Sequence, residues 1–118
     1  MNTINTSWYV AKAVAVGFVW GVLITLPAVV VAFASTGAGH GHYLAARVLF
    51  PAPMLLTRLD DDTFGPLIMG AGLLQFPIYG ALLGWVIARK SYFPAVAVTF
   101  AHIAAASACF AGTLPNFS

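Results

Sequence analysis

Three stretches of this chain carry almost no charge, and each is long enough as a helix to reach across the hydrocarbon layer of a bilayer. Residues 8–34 hold one charge, Lys12, near their start, and 27 residues at about 1.5 Å each extend to roughly 40 Å. Residues 64–88 carry Gln75 and Pro77 in their interior and end at Arg89 and Lys90. Residues 93–112 open with Pro94 at an early helical position and close at Gly112, with Pro115 beyond; their only ionisable groups are His102 and Cys109. Lipid offers no hydrogen bonds to a backbone, so runs of this kind are expected as helices.

Composition agrees with lipid as the solvent. Of 118 residues, 61% are hydrophobic and 7% charged, whereas charged residues make up about a quarter of a water-soluble domain. A particle this small cannot bury so much apolar surface in its own core. The net charge of +2 comes from dispersed basic residues, which excludes the clustered footprint of a nucleic-acid binder. A single cysteine excludes an intramolecular disulfide and is expected as a small buried hydrophobe. The N-terminal residues lack a basic region and the following run has no cleavage-like end, so it is expected as a retained span.

Between the first two spans lies GHGHYLAARVLFPAPMLLTRLDDD, residues 39–62, which holds every acidic residue, two of the five basic residues and two of the three histidines. Its apolar part, YLAARVLFPAPMLL, is 14 residues long, contains Arg47 and is interrupted by Pro51 and Pro53. A plain spanning helix needs about 20 residues. The expected fold is therefore an all-α integral membrane protein in one domain, 1–118, with three transmembrane helices plus a proline-broken interfacial or re-entrant helix over residues 43–58. A four-span bundle is the alternative. If helical pitch survives the prolines, Arg47, Met54 and Arg58 share one face, which suits a segment lying in the interface with its arginines lifted toward headgroups.

Charge sets the expected orientation. With three spans, Lys12, Arg89 and Lys90 share one side and Asp60, Asp61 and Asp62 lie on the other, which places the N-terminus in the cytoplasm and the C-terminus outside a bacterial inner membrane.

Small residues recur at helical spacing in each span. Gly17 and Gly21 in GFVWG, and Gly80 and Gly84 in GALLG, form two G-x-x-x-G motifs, and Ala97, Ala101, Ala105, Ala108 and Gly112 continue the device in the last span. Such faces let helix backbones approach closely where lipid supplies little drive for association. The expected partners are the bilayer and other membrane helices, from the same chain or a larger complex, and no nucleic acid.

Candidate chemistry is sparse. His40 and His42 form an H-x-H pair in a Gly-rich loop; in extended backbone both point the same way and can share an ion, with Asp61 or its neighbours supplying an oxygen ligand. Ordinary solvated loop histidines explain the same pair, and the acidic run serves as cap and dipole partner for the next helix. His102 lies near the middle of its span, where an ionisable group is costly and faces the bundle interior. It suits a haem axial ligand, with Met69 or a second chain opposite, a metal ligand or a proton relay. The plainer reading is a neutral histidine bonded to Gln75, to a hydroxyl such as that of Thr25, or to a backbone carbonyl freed by Pro77. Gln75 and Pro77 suit either a broken helix lining a transport path or a simple kink. There is no glutamate and no hydrolase, zinc-protease or nucleotide-binding fingerprint, so no enzyme is expected. The functional expectation is a structural or accessory membrane protein without a cofactor. The alternatives are a small transporter or channel-like homo-oligomer, or a subunit binding metal at His40 and His42 or haem at His102.

Overall fold

The structure, a computed structural model, describes residues 2–37, 43–57 and 65–111. Every element among the described residues is helical: α1 (Thr3–Gly37), α2 (Leu44–Leu49), α3 (Pro51–Leu56), α4 (Pro66–Arg89) and α5 (Phe93–Ala111). Helices α1, α4 and α5 are long and apolar enough to cross a membrane.

Helix α1 has 35 residues and starts before the apolar run does. In the polar turns at its start the hydroxyls of Thr6 and Ser7 fold back on the carbonyls of Asn2 and Ile4. It also continues through Pro27. At about 52 Å it exceeds the roughly 30 Å of bilayer hydrocarbon, so part of it projects or the helix tilts. Helix α4 starts with Pro66, whose missing N–H falls where none is needed, and ends at Lys90 in the left-handed conformation.

The closest contact in the fold joins α1 to α4, antiparallel. A Cβ placed on Gly17 would collide with the carbonyl of Gly80, and one on Gly80 would collide with the carbonyl of Gly17. Up and down the same seam, Gly84 faces the Ala13 carbonyl and Gly21 faces that of Phe76. The four glycines of the two G-x-x-x-G motifs therefore meet within one chain. Because the pairing is antiparallel, Lys12, Arg89 and Lys90 come to one end of the helix pair.

At the other end, α2 and α3 are wedged between the long helices. The bend between them is at Phe50, with φ −127° and ψ 56°. Helical pitch does not survive it, so the expected common face of Arg47 and Met54 does not form. Met54 is buried beside Cys109, while the Arg47 guanidinium lies over the Phe110 ring, 5.8 Å from its centroid. Arg58 lies outside the described residues. Tyr43, before α2, and Met54, within α3, pack in one cluster with Cys109. Val48, at the bend, instead meets His102, two turns of α5 or about 10 Å away. Phe50 at the bend packs on Ala28 and Ala32 of α1 and sits edge-on to Phe76 of α4, ring centroids 5.3 Å apart.

Helix α5 follows a three-residue connection, yet it reaches the rest of the chain mainly through α2 and α3. Cys109 is its one buried residue.

Candidate functional site

A bend in a helix exposes main-chain carbonyls, and within an apolar interior each needs a donor. Pro53 has no N–H to offer the carbonyl of Leu49, and the turn at Phe50 carries Val48 out of helical register. Side chains of the long helices supply what is missing. Gln75 of α4 donates its amide Nε2–H to the Leu49 carbonyl at 2.7 Å. His102 of α5 reaches the Val48 carbonyl with Nε2 at 2.9 Å. Cys109 of α5 donates its thiol to the Pro51 carbonyl at 3.6 Å.

The histidine tautomer follows from its partners. A carbonyl oxygen only accepts, so Nε2 carries a proton, and in the neutral ring Nδ1 then presents a lone pair. That lone pair lies 3.0 Å from the Tyr79 hydroxyl, which donates to it. Both ring nitrogens of His102 are engaged, and the imidazole bridges α4, α5 and the bend. Ligation of a haem or metal at this residue would require breaking one of these bonds. Met69 lies elsewhere, lining a cavity between α1, α3 and α4.

The rings form a continuous edge-to-face series. Phe50 meets Phe76, Phe76 meets Tyr79 at 6.1 Å, and Tyr79 meets His102 at 5.7 Å. The series runs from the α1 side of the bundle to α5 and holds the hydroxyl and the imidazole in place.

Among the described residues, two buried polar atoms have no hydrogen-bond partner: Oε1 of Gln75 and Nε of Arg47. Gln75 uses only its donor.

His102 meets a hydroxyl and a main-chain carbonyl, the kinds of partner expected from sequence, but on other residues than those named. Thr25 is buried but turns its hydroxyl to the Gly21 carbonyl of its own helix, 2.8 Å away, and Gln75 is occupied by Leu49. The carbonyl that His102 takes is released by the bend at Phe50, not by Pro77. Tyr79 was missed. Its position four residues after Gln75, on the same face of one helix, is the signal that points to it.

His40, His42, Asp60, Asp61 and Asp62 lie outside the described residues. Among the described residues no three histidine, cysteine or acidic side chains group in a way that could hold a metal.

Two cavities flank the polar cluster. One of about 350 Å³ separates α4 from α5 and has Tyr79 and His102 in its wall. The other, about 590 Å³, lies between α1, α4 and the α2–α3 segment and is lined by apolar side chains including Phe50, Met54 and Ile68. Comparison with family models, with curated proteins and with solved structures found no match to this chain.

Proposed function

We propose that the chain is a polytopic protein of a bacterial inner membrane with a structural or accessory role, a three-span bundle that packs against a further membrane helix through α5. In this reading residues 43–58 form a re-entrant segment. The tip bonds to Gln75 and His102, each about 14 Å from the nearer end of its helix, which is half the roughly 30 Å hydrocarbon thickness. The N-terminus is cytoplasmic and the C-terminus outside, because Lys12, Arg89 and Lys90 gather at one end.

One observation carries the accessory role: the contrasting fate of the small-residue faces. Those of α1 and α4 close on each other, whereas on α5 Ala97, Ala101, Ala104 and Ala108 are all exposed, four alanines on one face of the helix. Helix surfaces that only meet lipid need no such smoothness, while helix interfaces favour it. Gln75 and His102 each bond the main chain of the bend through Nε2, which favours a role in holding the bundle together.

The test is gentle-detergent purification of tagged protein from its native membrane, followed by native mass spectrometry. A stoichiometric neighbour or a homo-oligomer is expected, and substitution of Ala101→Phe is expected to release it. A strict monomer, with no crosslinked neighbour in the intact membrane, would sink the proposal. Orientation is tested separately with Ser91→Cys in a Cys109→Ala background. Labelling of the introduced thiol by an impermeant maleimide should require permeabilised membranes, and labelling from outside intact cells reverses the orientation.

A further inference from the structure

We propose that the larger cavity holds an acyl chain of a membrane phospholipid, a site that rests on the membrane reading above. The cavity follows from how the two long helices meet. Glycine contacts clamp α1 and α4 at Gly17, Gly21, Gly80 and Gly84, and Phe50 is inserted between Ala28 and Ala32 on one side and Phe76 on the other. Beyond that wedge the helices are held apart and a space of about 590 Å³ opens.

Its floor and its rim differ. Met54 and Ile68 are 3% and 2% exposed, while Phe33 and Leu73 at the edge are 66% and 52% exposed. On helices that cross a bilayer, such rim residues face lipid, so the opening is toward hydrocarbon. Apolar cavities as small as about 150 Å³ stay dry and take up apolar molecules. The lining is almost wholly apolar, Tyr43 being its one residue with a polar side-chain group, and an unfilled space would deprive the lining atoms of dispersion contacts. An acyl chain is the apolar molecule always present at the rim, and entering exchanges contacts with neighbouring lipid for contacts with Phe50, Met54 and Ile68. A volume of this size falls in the range of about 300–1,000 Å³ typical of ligand sites.

The experiment places the full chain in nanodiscs of phosphatidylcholine that bears a photoactivatable diazirine on one acyl chain, and adducts are mapped by mass spectrometry. Adducts are expected on Val29 and Ala46, half-buried residues of the lining. Val86, 1% exposed and outside the cavity lining, is the control that should stay unlabelled. Gly72 lines the cavity, and a Cβ there would make ordinary contact with Pro53, 3.4 Å away. Gly72→Phe should therefore fill the space and abolish the adducts on Val29 and Ala46 while leaving those on Trp20, 62% exposed, unchanged. Labelling of Val29 and Ala46 no greater than that of Val86 would overturn the site, and this comparison needs no variant to fold. Persistence of their adducts in a folded Gly72→Phe protein would overturn it as well. Absence of adducts even at Trp20 would mean that the chain is not inserted, and would remove the membrane reading together with the site.

Discussion

His102 donates to the main-chain oxygen of Val48 at 2.9 Å, tying the middle of the last helix to the bend of a segment 54 positions earlier. Its second nitrogen accepts from Tyr79 at 3.0 Å, so one imidazole joins three elements. In an apolar setting, leaving a main-chain carbonyl without a donor costs about 1–3 kcal/mol. A side-chain bond between membrane helices averages roughly 0.6 kcal/mol and reaches about 1.7. His102→Leu is therefore expected to lower stability by about 1–3 kcal/mol. Tyr79→Phe should lower it by roughly 0.6 kcal/mol. In the double variant the two losses should not add, because removing the imidazole already removes the partner of the hydroxyl. Unfolding titrations in mixed detergent micelles measure all three, and strict additivity would contradict the bridge.

The tautomer is open to direct observation. With Val48 as an obligate acceptor, nitrogen chemical shifts of labelled His102 should report a protonated Nε2. An unprotonated Nε2 would mean that the carbonyl is not its partner.

At the α1–α4 seam the glycines have no room for a side chain. Gly80→Ile would drive a branched side chain into the Gly17 backbone, and the two helices would have to separate. A loss of about 3 kcal/mol or more is expected, since the obstacle is main chain and cannot rotate away. Gly70, on the same helix, has nothing within 4 Å of its missing Cβ, so Gly70→Ile should leave the melting temperature nearly unchanged. Equal sensitivity at both positions would refute the seam.

Cys109 is 0% exposed and its thiol points at the Pro51 carbonyl. A membrane-permeant maleimide should fail to modify it in the folded protein and modify it completely after unfolding in dodecyl sulfate. His102→Leu, which loosens α5 from the bend, should raise the modification rate under native conditions. Rapid labelling of the folded wild type would show that α5 does not pack as described.

Much of the secondary structure was legible because lipid leaves the backbone few options. Runs of 20 or more apolar residues marked α1, α4 and α5, and Pro51 and Pro53 marked the interruption between α2 and α3. Boundaries were less legible: α1 extends into the polar TINTS turns, since a helix outside lipid needs only good local hydrogen bonds. The small-residue stripes were legible as packing faces, but a stripe carries no label for its partner. Nothing in GFVWG or GALLG states that they meet antiparallel within one chain, because the same smooth surface fits another copy equally well.

For the polar groups the division is sharper. By itself the sequence determined that Gln75 and His102 must find partners, because an amide or an imidazole inside an apolar span is too costly to leave unpaired. It also marked the segment around Pro51 and Pro53 as one that a single plain helix does not cover, because a proline has no N–H to give. Which donor meets which carbonyl was decided only by the tertiary structure. The closeness of α1 and α4 at their glycines, the insertion of Phe50 beyond that contact and the position of α5 against the bend together bring Gln75 to Leu49 and His102 to Val48. Those distances depend on contacts between residues far apart in the chain, and local periodicity holds no record of them.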